Sequence, residues 1–137
     1  MSGRQRVGFS VPAAFSVLGL SCIVVLPADE RQTLLLEISK KATAREWREI
    51  SARIDKATAE IHSKGYYIGI GMLSPEVNMV GVPFYHAPSR TMMAFNCGGC
   101  SPIQTPQKLA KLGPKLLKLA DRVRRELETM SAPNRID

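Results

Sequence analysis

Residues 65–107 constrain the fold more than any other part of this chain, because they hold three short β-rich runs: GYYIGIG from Gly65, VNMVGVPFY from Val77 and TMMAFNCGG from Thr91. The clusters Ser74-Pro75-Glu76 and His86-Ala87-Pro88-Ser89 divide them, and breakers at that spacing predict antiparallel strands joined by tight connections. Side chains on a strand alternate between the faces of its sheet, so parity sorts the runs into two sets. One set is bulky and apolar: Ile68, Ile70, Val80, Val82, Met93, Phe95 and Cys97. The other is Gly69, Gly71, Met79, Gly81, Ala94, Asn96 and Gly98, nearly all small, with one thioether and one amide standing out of it. Glycine weakens a strand, so several on one face predict a close approach to the backbone there. Bulges or a tightly packed helix satisfy that expectation, and so does a ligand hollow.

A chain of 137 residues is long enough for one packed domain and too short for two. The domain is expected over residues 1–130, with 131–137 as a frayed tail. Hydrophobic content of 45% and charged content of 23% are those of a globular protein, which excludes wholesale disorder. The net charge of +7 permits contact with nucleic acid or an anionic surface. No aromatic-interleaved basic stripe, zinc-finger spacing or helix-turn-helix pattern is present, so no element for reading bases is predicted. Three cysteines, Cys22, Cys97 and Cys100, are an odd count without a disulfide framework, which favours a reducing, cytoplasmic compartment. Cys97 and Cys100 have the two-residue gap of redox and zinc motifs. A redox pair is expected at the start of a helix, whereas Ser101-Pro102 follow here, and zinc would need ligands from the scattered Cys22, His62 or His86. No metal, no cofactor and no catalytic residue is therefore assigned, and the chain reads as non-enzymatic.

Residues 7–28 contain no charge and follow Arg4 and Arg6, so an exported or membrane-anchored protein with this run as its targeting segment is the alternative. The run carries Pro12, two glycines and three serines, and is only moderately apolar for a span of about 20 residues. A buried helix, apolar on every side because both sides are covered, is preferred, starting near Pro12 and ending at Leu26-Pro27. A second helix is expected over residues 28–38, with Asp29 and Glu30 at its positive end. The clearest helix follows: Thr43 and Glu46 form a capping box, Trp47, Ile50, Ile54, Ala57 and Ile61 recur at helical spacing, and Gly65 is placed for a left-handed terminus. Its stripe is expected to cover the bulky face of the sheet, and His62 in its last turn is read as structural. A final helix starts at Thr105-Pro106 with the stripe Leu109, Leu112, Leu116, Leu119, Val123 and Leu127. Lys108, Lys111, Lys115, Lys118, Arg122 and Arg125 line an adjoining face, solvated or turned to an acidic partner or nucleic acid. Gly113-Pro114 should break or kink it, since Pro114 donates no hydrogen bond, but the stripe keeps phase across the pair, so a kinked single helix is expected.

In this order the pieces resemble the C-terminal, effector-binding domain of the IclR family of bacterial transcription regulators. The resemblance is carried by residues 12–19 leading into Leu26-Pro27-Ala28-Asp29-Glu30, by Gly65-Tyr66, and by Val80-Gly81-Val82-Pro83. Gly98-Gly99 at a strand end and the Thr105-Pro106 helix start continue it, so that it spans residues 8–127. It implies an α+β, GAF-like antiparallel sheet with flanking helices, the N-terminal part of the domain missing. It also implies a small organic effector, a carboxylate or aromatic acid, held on one face of the sheet. A homo-oligomer, dimer or tetramer, is implied too, with DNA held only through a separate winged-helix domain that this chain lacks, and no membrane.

The family's pocket positions fall on Val11, on Ser16, Val17 and Leu18 at the entry to the buried helix, and on Gly69, Met79, Asn96 and Gly98. Backbone N–H groups at a helix start suit an anion, so Val17 and Leu18 would donate to a carboxylate and Ser16 would add a hydroxyl. Gly69 replaces an acidic residue of well-known members, Met79 a cysteine, and Asn96 and Gly98 a pair of serines. A less polar or larger effector is the expectation, with Asn96 as the side-chain polar anchor on the sheet.

Overall fold

The computed structural model describes residues 16–72 and 74–130. Along the chain these are α1 (Val17–Val25), α2 (Ala28–Lys41), α3 (Ala44–Lys64), β1 (Tyr67–Ile70), β2 (Val77–His86), a short 3-10 turn at Ala87–Ser89, β3 (Thr91–Cys100) and α4 (Pro106–Met130). The strands form one antiparallel sheet in the order β1-β2-β3, with Tyr67 opposite Gly81 and Met79 opposite Gly98. The fold is α+β, as the resemblance implies, and its strands are antiparallel, as the breaker spacing predicts.

Local chemistry fixes most helix ends. Thr43 Oγ1 accepts from Glu46 N–H while the Glu46 carboxylate accepts from Thr43 N–H, so the predicted capping box is present. Gly65 closes α3 with φ +86°, in the left-handed region where a Cβ is disfavoured. α1 begins later than expected. Ser16 is extended, at φ −128° and ψ 149°, and its Oγ accepts from Gly19 N–H at 2.9 Å, so the first helical residue is Val17. A proline at a first helical position only tolerates a missing donor, whereas a serine cap satisfies one, and the cap sets the start. Pro12 and Val11 lie outside the described residues, as does the 131–137 tail. α2 runs on to Lys41, where Lys40 and Lys41 complement its negative end.

The sheet divides two cores. On its bulky face, Val80, Val82 and Phe84 pack with Leu109, Leu116 and Ala120 of α4, joined by Ile68, Met93, Phe95 and Cys97. On the other side, Val17, Leu20, Ile23 and Val24 of α1 pack with Ile50, Ile54, Ala57 and Ile61 of α3 and with Tyr67. The expectation that α3 covers the bulky face is thus corrected: α4 covers it, and α3 turns its stripe onto α1. Both stripes are apolar enough for that face, and spacing alone does not choose between them. α1 is covered on one side by the sheet and on the other by α3, as an all-round apolar helix requires. Among the described residues no helix is long and apolar enough to cross a membrane, and α1 has nine residues.

α4 is one helix through Gly113-Pro114. Pro114 is exposed, while Gly113 is buried under the Tyr66 ring, three of whose carbons lie 2.7 Å from where a Gly113 Cβ would stand. Glycine here lets α4 approach the chain just ahead of β1.

Candidate functional site

The small-residue face of the sheet is where α1 lies, and its glycines have a direct steric cause. A Cβ on Gly69 would collide with Val17 Cγ2, and one on Gly81 would stand 2.8 Å from both Ser21 Oγ and Val17 Cγ1. A Cβ on Gly98 would come within 2.5 Å of the Asn78 carbonyl oxygen and 2.6 Å of Met79 Cγ. Of the two readings the sequence leaves open, a tightly packed helix accounts for Gly69 and Gly81, and close cross-strand approach accounts for Gly98.

The expected pocket positions are placed unequally. Val17 is buried against Gly69, and Met79 is half-buried beside Gly98, its partner on β3. Asn96 and Gly98 are exposed on the same face, and Asn96 lies opposite Gly81. These residues therefore share one surface, filled by α1 around Gly69 and Gly81 and open toward β3. Leu18 is 41% exposed and turned out of the helix–sheet contact. Ser16 is half-buried, and its hydroxyl oxygen is engaged by Gly19 N–H. The N–H groups of Val17 and Leu18 are among those a helix leaves without an intrahelical acceptor.

One residue of this surface escapes the sequence pattern. Ser21 is fully buried, and among the described residues its hydroxyl has no hydrogen-bond partner while it faces Gly81 across the helix–sheet contact. It stands four residues after Val17 and hence on the same face of α1, a relation visible in the sequence once Val17 is known to face the sheet. Beneath the same core, Tyr67 Oη donates to Met72 Sδ at 3.4 Å. Burial pushes the Tyr67 hydroxyl pKa up, Glu60 adds to the rise and Arg53 opposes it.

Among the described residues of this surface no nucleophile is joined to a base. Asn78 is buried, accepting from Gly71 N–H and donating to the Gln104 carbonyl at 2.8 Å, so it ties β2 to the two flanking connections. His86 is buried and bonded to Ser89 Oγ at 2.5 Å. Cys97 and Cys100 lie on one extended strand at an odd spacing, so their side chains leave opposite faces. Among the described residues no group of three or more His, Cys, Asp or Glu is placed to hold a metal. All three thiols are free. Burial raises the Cys22 pKa and Cys100 is exposed, so Cys100 is expected to react first with a thiol reagent near pH 7.5 and Cys22 more slowly. Mass spectrometry of partly labelled protein checks that order, and Cys22 labelling as fast as Cys100 contradicts it.

No family model matches the sequence, and no curated protein does. Solved structures do. An IclR family transcriptional regulator from Brucella abortus is 30% identical, over 92% of this chain and 47% of that one, with a TM-score of 0.80. The repressor BlcR of Agobacterium tumefaciens is 20% identical over 91% of this chain and 51% of its own, with a TM-score of 0.68. The inducer-binding domain of PobR from Acinetobacter, in complex with 3-hydroxybenzoic acid, is 18% identical over 83% of this chain and 66% of its own, at a TM-score of 0.61. The chain spans about half the length of the two regulators. In fold, and at 30% identity in sequence to the Brucella protein, the chain is similar to IclR family transcription regulators and fits part of their C-terminal, effector-binding domain.

Proposed function

We propose that the chain serves as the small-molecule-sensing and oligomerising part of an IclR-type regulator in the cytoplasm, with DNA held by a separate domain. The observation that carries this reading is the seating of the α1 N-terminus on the glycine-bearing face, with Met79, Asn96 and Gly98 continuing that face toward β3. A small organic acid would set its carboxylate at the N–H groups of Val17 and Leu18, take a hydrogen bond from the Asn96 carboxamide, and lay its apolar part on Met79. Ser16 would contribute its hydroxyl proton, since its oxygen already accepts from Gly19. The Met79 thioether and the exposed backbone of Gly98 favour an aromatic or otherwise weakly polar acid over a small hydroxy acid.

The oligomer is supported by the edge of the sheet. Ser101 N–H donates to the Glu76 carbonyl at 2.7 Å, and the alternation of an antiparallel ladder then turns the odd residues of β3 toward β2 and the even ones outward. The backbone groups of Met92, Ala94, Asn96 and Gly98 thus face away from β2, on a ten-residue strand with no charge to protect its edge.

A thermal-shift screen of small aliphatic and aromatic acids tests the sensing role. A ligand at about a hundred times its Kd stabilises by about 2.7 kcal/mol, which is several degrees for a domain of this size. Such a rise is expected for at least one aromatic acid, at least halved in Asn96→Ala. A panel that leaves the melting temperature unmoved, or a shift that Asn96→Ala retains in full, contradicts the assignment.

A further inference from the structure

The net charge is concentrated in one place. Residues 101–120 carry Lys108, Lys111, Lys115 and Lys118 and no acidic residue, which makes +4 of the chain's +7. All four lysines are exposed and follow 3-4-3 spacing along α4, which puts them on one side of the helix in a stripe about 15 Å long at 1.5 Å per residue. The rest of the basic face differs. Arg122 pairs with Glu126 at 3.3 Å, Arg124 with Asp121 at 2.6 Å and Glu128 at 2.9 Å, and Arg125 with Asp121 at 3.3 Å. The C-terminal part of α4 is therefore neutralised on its own surface, and the N-terminal half is not.

Helix stability does not account for the lysine line. The positive end of a helix favours acidic residues, yet the first turn of α4 has none and Lys108 stands there. Lysines three and four residues apart repel one another, and no carboxylate interleaves them. A face that serves only solubility mixes both signs. These side chains stand where folding disfavours them, so a fixed anionic partner is the economical cause.

We infer that the exposed lysine line of α4 is a contact for the phosphate backbone of double-stranded DNA, independent of base sequence. A rigid row of point charges suits a duplex, whose two strands present about one negative charge per 1.7 Å of axis. α4 contains no aromatic residue, so it offers no platform for stacking the bases of a single strand. Its apolar stripe is spent on the sheet, so it has no apolar face to insert into a bilayer. The inference does not rest on effector binding. In a regulator it would add a second, non-reading grip on DNA beside that of the separate domain.

Fluorescence anisotropy of the chain with a labelled random-sequence duplex of about 20 base pairs, titrated at about 50 to 200 mM salt, tests it. Four neutralised phosphates predict a slope of log K against log salt of about −3 to −4, a loss of roughly a hundredfold across that range. Replacing Lys108, Lys111, Lys115 and Lys118 with Gln is expected to abolish measurable binding, and replacing them with Arg to preserve it. Gln at Lys40, Lys41, Lys56 and Lys64, all exposed and off α4, removes the same charge and is expected to leave the affinity within about threefold. Circular dichroism confirms that each variant is folded, and the Arg variant together with the single Lys115→Glu carries the test if the Gln variant is not. No binding at low salt, equal weakening by the control variant, or binding to phosphatidylserine vesicles without binding to the duplex overturns the inference.

Discussion

Truncation of Leu109 to alanine is expected to destabilise the domain by about 2–5 kcal/mol. Leu109 is completely buried on the first turns of α4, packed with Val80 and Val82 at the centre of the core between that helix and the sheet. Its removal loses the transfer free energy of the side chain and leaves a cavity that strands on one side and a helix on the other cannot close. Leu119 lies ten residues further on and is 47% exposed, so Leu119→Ala is expected to cost less than about 1 kcal/mol. Urea denaturation of both variants gives the comparison. A Leu109→Ala cost as small as that of Leu119→Ala would mean that α4 is not seated on the bulky face.

The second large effect concerns the opposite face. Gly81→Ala introduces a methyl group 2.8 Å from Ser21 Oγ and from Val17 Cγ1, in a place where all three residues are buried. Overpacking of that kind costs about 1–3 kcal/mol, because either α1 lifts from β2 or the side chains leave their preferred rotamers. Val17 is β-branched and stiff, so it gives little. Ser21→Ala alone should behave differently. It removes a buried hydroxyl with no partner among the described residues, whose desolvation costs about 1–3 kcal/mol, and is expected to be neutral or stabilising. In the Gly81→Ala background it also opens space for the new methyl, so the two changes are coupled.

The features legible in the sequence are those set by chemistry within a few residues. Thr43 and Glu46 cap α3, and Gly65 ends it, because both motifs are closed by atoms three or four positions apart. Parity separates Val80 and Val82 from Met79 and Gly81 because strand geometry alone decides it. Where two local signals compete, the less specific one misleads, as Pro12 does against the Ser16 cap. The pairing of faces is not legible: the stripes of α3 and α4 both fit a bulky sheet face, and only the completed topology assigns α4 to it. Of the candidate site, the shared surface of Val17, Gly69, Met79, Asn96 and Gly98 follows from parity and from the family resemblance. The outward turn of Leu18 and the buried hydroxyl of Ser21 depend on the rotation of α1 over the sheet, which no spacing specifies.

The proposed effector site stands on α1 being held directly against the glycine-bearing face, since that contact sets Val17 on Gly69 and Gly81, whose cross-strand neighbours are Met79 and Asn96. The most direct test is the double-mutant cycle between Gly81→Ala and Ser21→Ala, read as unfolding free energies. Contact predicts a coupling of about 0.5–3 kcal/mol, with the double variant more stable than the two single changes sum to. Effects that add to within about 0.3 kcal/mol would contradict the contact, and the seat of α1 with it.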